Sequence, residues 1–472
     1  MSGAHADPPV RLERSSRTPL TTQLSTQLRE AMVRGVLRSG ERLPSSRSLA
    51  EQLGVSRTVV TEAFQQLYAE GWLEGRHGSG TFVAQYQTLP DLDPTPAPVH
   101  TPDRRGTRPS RAQARRWRAE DLRPGAPWVR DLDRAAWRRA WRHAAEQPLD
   151  DDPDPRGLPR LRALLAEHLR RARGVRVGPE NVLVTRGTGN GLDLIATTLL
   201  RPGARAGVED PGYQKAPTIF AARGARPVPC TVDAHGIVVD TLPADLSVVY
   251  TTPAHQYPLG GRLPLPRRER LLAWAREHDV TVVEDDYDAE FRYDVAPLPA
   301  LYGLDPSRVV LLGTLSKTLS PDMGIGWLVA EPALVERIAR WRFDVSDRTG
   351  VQAQNATALL LERGDLDRHL RRMRREYARR RKLLVERLGP RLTGDTAGLH
   401  TMVPLPAEHT TAVVEEAAEH GVLLADTTHT SLGTPSVHGL ILGYGSVDLP
   451  GLGRACEVLT TILDRRLGPV RA

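Results

Sequence analysis

The chain has 472 residues, 40% hydrophobic and 26% charged, with a net charge of +7 and two cysteines, Cys230 and Cys456. This exceeds one ordinary domain, suits a soluble globular protein, and excludes a disulfide scaffold. No run of about 18 apolar residues lacks a charge, and MSGAHADPPVRLERSS has no secretory apolar core, so no membrane contact and a cytoplasmic location are expected.

Residues 1–17 read as a disordered N-terminus. Residues 18–84 read as a small helical unit ending in a hairpin. PLTTQLSTQLREAM sets Leu20, Leu24, Leu28 and Met32 on one helical face. Ser45 suits the N-cap of a short helix carrying Leu49, Ala50 and Leu53. Gly54 breaks that helix, and Ser56 suits the cap of the next. There Val60, Ala63, Phe64 and Leu67 face a core, which leaves Arg57, Thr58, Thr61 and Glu62 outward. WLEGRHGSGTFVA reads as two strands around a glycine-rich tip.

Helix, turn, helix and β wing form a winged helix-turn-helix. Its second helix fits the major groove of double-stranded DNA, with its N-terminal residues near base edges. Arg57 can pair bidentately with guanine, and Ser56, Thr58 and Thr61 can reach phosphate or base. Arg47 suits a backbone phosphate, and His77 and Gly78 at the wing tip suit the minor groove.

Residues 85–118 are Pro- and Arg-rich and read as an extended linker. Residues 119–472 alternate apolar, β-branched runs with helical ones. NVLVTR, LSVVYTTP, VTVVEDD and RVVLLGTL are the strands, and RRERLLAWAREHD is one of the helices. The fold class is therefore α/β with a mostly parallel sheet. DLDRHLRRMRREYARRRKLLVERL reads as a long helix with one apolar face.

Within GTLSKTLSP lies Lys317, one of only three lysines among 64 Lys plus Arg. A guanidinium stays protonated, whereas a lysine amine can condense with an aldehyde. Lys215 and Lys382 read as surface lysines. Asp285, Asp286 and Tyr287 end another strand, where α/β sheets place ligands. Pyridoxal phosphate (PLP) needs a carboxylate at its pyridinium nitrogen and a donor near its phenolate oxygen. TRGTGNGLDL offers the backbone N–H groups of Gly187, Thr188 and Gly189 to a phosphate at a helix start. Tyr213, in EDPGY, can stack on a planar cofactor, and YTTPAHQYPLG adds Tyr257 in a turn.

LPSSRSLAEQLGVSRTVVTEAFQQLYAEGW and GSGTFV resemble the N-terminal domain of GntR-type regulators. The later motifs resemble a fold-type I aminotransferase domain. Together they resemble the MocR/GabR-type transcription regulators, which fuse the two. The resemblance implies that Lys317 is the Schiff-base lysine and Asp285 the pyridinium partner, with Asp286 as the alternative. It places Tyr287 near the phenolate oxygen, Tyr213 over the ring, and Gly187, Thr188, Gly189, Asn190, Thr314 and Ser316 around the phosphate. It implies DNA contacts at Arg47, Ser56, Arg57, Thr58 and the wing, and a head-to-tail homodimer.

Three positions depart from the family. A phosphate-binding arginine is replaced by Gly324, an α-carboxylate-binding arginine by Ile441, and a tyrosine before D-P-x-G by Asp152. An Arg–carboxylate pair supplies affinity and orientation together, so these losses argue against efficient transamination. Three readings remain: a regulator that senses PLP or a small ligand, an active PLP-dependent aminotransferase, and a regulator with a vestigial cofactor site.

Overall fold

The computed structural model describes residues 8–16, 18–76, 80–84, 119–288, 290–293 and 299–469. The chain divides into two compact units, residues 1–107 and 108–472. His77 and Gly78 lie outside the described residues, as does the segment read as a linker.

In the first unit, helix α1 (Leu20–Val33) buries Leu24, Leu28 and Met32 against α2 (Ser46–Leu53) and α3 (Arg57–Ala69). Ser45 caps α2, its hydroxyl accepting from the Ser48 N–H at 3.1 Å. Gly54 ends α2 in a left-handed conformation. Ser56 occupies the N-cap position of α3, but its side chain makes no capping bond. Strands β1 (Leu73–Arg76) and β2 (Gly80–Val83) pair antiparallel as the wing. Residues 8–16, within the segment 1–17 read as a disordered N-terminus, bond to α1: the Gln27 side chain bonds the N–H and C=O of Arg11, and Gln23 does the same for Glu13.

The second unit is built on an eight-stranded sheet among the described residues. In chain order its elements are β3 (Glu120–Asp121), α4 (Arg134–Glu146), α5 (Pro159–Arg173), β4 (Val182–Thr185), α6 (Thr188–Leu199), β5 (Arg205–Asp210), α7 (Lys215–Ala222), β6 (Arg226–Asp233), β7 (Gly236–Ile237), β8 (Val248–Thr251), α8 (Leu265–Glu277), β9 (Thr281–Asp285), α9 (Leu301–Leu304), β10 (Val309–Thr314), β11 (Gly326–Val329), α10 (Pro332–Asp344), α11 (Val351–Glu362) and α12 (Asp365–Leu388). They continue with β12 (His400–Pro404), α13 (Ala407–Glu419), β13 (Val422–Leu423), β14 (Ala425–Asp426), β15 (Gly439–Gly443) and α14 (Leu449–Leu467). The sheet order is β4-β11-β10-β9-β8-β5-β6-β7, and only β11 and β7 run against the rest. A smaller antiparallel sheet has the order β12-β15-β14.

Successive strand residues point to opposite faces, so each strand feeds two cores. Val283 and Leu312 pack with α6, α7 and α10, while Val282 and Leu311 join the core under α5, α8 and α12. The long α12 buries Leu366, Leu370, Met373, Tyr377 and Leu384 on one stripe, as its sequence pattern predicts.

Replacing the Ser45 cap removes an acceptor for an otherwise unpaired N–H. Ser45→Ala is expected to cost about 1 kcal/mol, measured by urea denaturation of a fragment spanning the first unit.

Candidate functional site

Parallel strands deliver their carboxyl ends to one edge of a sheet, where ligands bind. Here the ends of β4, β5, β8, β9 and β10 open onto a cavity of about 520 Å³. Gly187, Thr188, Gly189 and Asn190 line it from the start of α6, Thr314, Ser316 and Lys317 from the end of β10, Asp285 from the end of β9, and Tyr213, Tyr257 and Tyr287 from the loops between. All eleven residues that the motifs pointed to are thus brought together. A Cβ built on Gly187 would lie 3.7 Å from the Thr314 hydroxyl and 3.9 Å from that of Ser316. The start of a helix thus lies beside two hydroxyls on the cavity wall, a combination that suits an anion.

Asp285 is buried at the end of β9, on the same face as Val283. The Tyr250 hydroxyl donates to its Oδ2 at 2.7 Å, while Oδ1 is buried without a partner among the described residues. Burial pushes its pKa up to about 7, against the Tyr250 hydrogen bond and the nearby Lys317 charge. Asp286 falls on the other side, where its Oδ2 accepts from Arg173 Nε at 2.5 Å. It does not line the cavity, so of the two acids only Asp285 does.

Lys317 Nζ donates to the Gly125 carbonyl at 2.7 Å. Tyr213 lies stacked toward Tyr250, ring centroids 6.5 Å apart at 28°, and meets Tyr257 edge-on. The Tyr287 hydroxyl donates to the His255 backbone carbonyl at 2.9 Å. Lys215 is exposed, as a surface lysine should be, yet it lines the cavity, as do Arg186, Gly125, Tyr250, Thr252 and His400. Sequence reasoning missed these six. For Lys215 the signal was present, since the scarcity that singled out Lys317 applies to it equally. Gly125 meets Lys317 across 192 positions, which no local pattern reveals.

The three departures have distinct structures. Gly324 ends a short turn with φ +57°, and a Cβ there would meet nothing within 4 Å. Space for a side chain exists, but the left-handed backbone favours glycine. Ile441 is fully buried on β15 opposite Met402 and does not line the cavity. Asp152 is exposed and lies outside it.

In the first unit the candidate nucleic-acid face is the start of α3. Arg57 and Thr58 are exposed there, with Arg57 Nε 3.4 Å from the Ser46 hydroxyl. Arg47, 82% exposed, lies beside Glu51. Thr61 donates its hydroxyl hydrogen to the Arg57 carbonyl at 2.9 Å, leaving only its lone pairs for a partner.

Residues 20–83 match the family of bacterial regulatory proteins of gntR type, and residues 129–437 match aminotransferase class I and II. The chain is 38% identical to the HTH-type pyridoxine biosynthesis transcriptional regulator PdxR of Corynebacterium glutamicum, over 94% of this chain and 96% of that one. It is 36% identical to the probable rhizopine catabolism regulatory protein MocR of Rhizobium meliloti, over 93% and 92%. Among solved structures, the α-aminoadipate aminotransferase LysN of Thermus thermophilus aligns with a TM-score of 0.67 at 26% identity, over 75% of this chain and 94% of that one. An archaeal alanine:glyoxylate aminotransferase shares the fold, with a TM-score of 0.70 at 23% identity, over 76% and 95%. A winged-helix head and an aminotransferase-fold body define a DNA-binding transcription regulator. The chain belongs to the MocR-type family of GntR regulators. Among its described residues, no helix is long and apolar enough to cross a membrane.

The Asp285 carboxyl gives a pH prediction. Its folded pKa of about 7 lies above the ~3.9 of an exposed aspartate. The folded protein keeps a proton that the unfolded chain releases, so this group erodes stability as pH rises from about 4 to about 7. Asp285→Asn is expected to raise the thermal midpoint of ligand-free protein more at pH 8 than at pH 5. A gain independent of pH would mean that Asp285 titrates normally.

Proposed function

We propose that the body binds PLP through Lys317 and that occupancy of this cavity by PLP or a small ligand controls DNA binding by the head. The observation that carries the reading is Asp285, buried with one oxygen held by Tyr250 and the other without a partner among the described residues, in the same cavity as Lys317. A buried carboxylate oxygen with no donor is costly unless a ligand supplies one. The residues present fit PLP: an amine, a carboxylate for a pyridinium nitrogen, an aromatic face at Tyr213, and an anion seat at Thr188, Gly189, Thr314 and Ser316. Tyr287, on the cavity wall, is the donor assigned to the phenolate oxygen, which it would serve by turning its hydroxyl hydrogen away from the His255 carbonyl. When bound, PLP supplies an aldehyde for a lysine amine and a ring that serves as an electron sink.

The chain's own residues favour sensing over turnover. Ile441 brings no guanidinium to the cavity, so an amino acid's carboxylate has no grip from β15. Arg186 is engaged by Asp347 and the Arg348 carbonyl. Gly324 leaves the phosphate seat without its family arginine, which would make occupancy depend on concentration. The Corynebacterium glutamicum relative regulates pyridoxine biosynthesis, which supports a vitamer as the signal here too.

Control follows from linkage. A ligand shifts DNA affinity only by binding one arrangement of the protein better than another. We extend the proposal to a cytoplasmic head-to-tail homodimer whose two heads read paired half-sites of operator DNA.

Visible absorption during PLP titration tests the cofactor reading. A saturable band is expected in wild type and none in Lys317→Ala, with basal DNA binding kept in both. Borohydride-fixed PLP on another residue of Lys317→Ala would remove Lys317 from the role. For the head, Arg57→Ala should weaken specific operator binding about 10-fold or more in gel-shift titration at fixed salt, the size of one lost bidentate base contact. Equal affinity would reassign the base contact. Product formation from an amino donor and a keto acid would favour the aminotransferase reading instead.

A further inference from the structure

Beside the cavity lies a buried cluster that the cofactor reading does not use. His255 follows β8, Asp288 follows β9, and His400 opens β12. Their exposures are only 2%, 1% and 3%. The two imidazole rings are 4.4 Å apart between centroids. One ligand atom from each of the three residues lies within 4.8 Å of the others.

A hydrogen bond settles where one ring proton sits. His255 Nδ1 is 2.9 Å from Asp288 Oδ2, and a carboxylate only accepts, so Nδ1 carries the proton. Asp288 Oδ2 also accepts from the Leu399 N–H at 3.2 Å, which holds it in place. The Nε2 atoms of His255 and His400 are both buried with no partner among the described residues. Gly398 makes room for this arrangement: a Cβ there would fall 2.1 Å from the His255 ring and 2.7 Å from Asp288 Oδ2.

Two buried imidazole nitrogens without partners, in rings whose centroids are 4.4 Å apart, call for a shared partner. An imidazole held through Nδ1 by a carboxylate, as His255 is by Asp288, presents Nε2 as a metal-ligating histidine does. Nitrogen ligands of this kind suit zinc, copper or nickel rather than magnesium or calcium. His400 also lines the cavity, which gives a cation an entry path and leaves coordination positions open toward it. We propose that His255 and His400 bind a zinc-class divalent cation through their Nε2 atoms, with Asp288 as the carboxylate that orients His255. The proposal stands apart from the cofactor reading, because neither histidine is among the residues assigned to PLP.

The test uses full-length protein stripped with a chelator and titrated with Co²⁺ as a spectroscopic stand-in. The expected result is a saturable visible d–d spectrum at one equivalent per chain, displaced by Zn²⁺. His255→Gln and His400→Gln should each abolish it, and Asp288→Asn should weaken uptake about 10–100-fold, as loss of an orienting carboxylate does. X-ray absorption at the cobalt edge of wild type, which needs no variant to fold, should show two imidazole nitrogens. No saturable spectrum in wild type, or ligation by oxygen alone, would overturn the proposal and leave a bridging water as the partner of the two nitrogens. A spectrum unchanged in both folded histidine variants would overturn it equally.

Discussion

Asp285 is a buried carboxyl with a tyrosine hydroxyl on one oxygen and, among the described residues, no hydrogen-bond partner on the other. Its position depends on the sheet around it. Alternation along β9 sends Val283 and Asp285 to one face and Val282 and Glu284 to the other. Tyr250 comes from the neighbouring parallel strand, in register with Val283, and so stands beside the carboxyl one step further on. On the other side Leu312 of β10 is in register with Asp285, and five residues later the chain reaches Lys317. A shift of one residue in either pairing would turn these groups into opposite cores. The ends of the parallel strands and the apolar layers beneath them are therefore one constraint. The same hydrophobic residues that fix the register fix the chemistry.

Periodicity and capping carry far in this chain. The helices of the head, the β wing, four strands of the large sheet and the long α12 follow from spacing within a window of a few residues. The eleven cavity residues were also legible, because each sits where a strand meets a turn. What escaped the sequence is contact across distance. Gly125, Tyr250 and His400 join the cavity from elements whose neighbours only the folded sheet reveals. The anchoring of residues 8–16 escaped for another reason. It rests on glutamine side chains bonding backbone groups, which leaves no hydrophobic rhythm to read. Ser56 sits at its helix cap as its residue type predicts, yet makes no capping bond. Position and hydrogen bonding are separate matters.

The departures from an amino-acid site sit within an intact frame. β15 still pairs with β12 and β14 through every expected register, and Ile441 simply closes the apolar layer where a guanidinium would have reached out. At Gly324 the backbone itself is left-handed, so a side chain there would have to bear conformational strain. On the proposed reading, the frame offers a seat for a planar, anionic ligand and, at Ile441, no guanidinium to orient a reacting amino acid. In a chain headed by a DNA-reading unit, that division matches a signal that is bound rather than consumed.

The scarcity of lysine gains a meaning from where the few lysines lie. Arginine supplies almost all the positive charge, and guanidinium groups are inert toward aldehydes under mild conditions. Two of the three side-chain amines, Lys215 and Lys317, line one cavity. The third, Lys382, lies on the exposed face of α12 beside Glu386. An aldehyde diffusing over this protein therefore meets almost no competing nucleophile of its preferred kind outside that cavity. Selectivity for carbonyl chemistry is written into the composition of the whole surface, before any pocket recognises a shape.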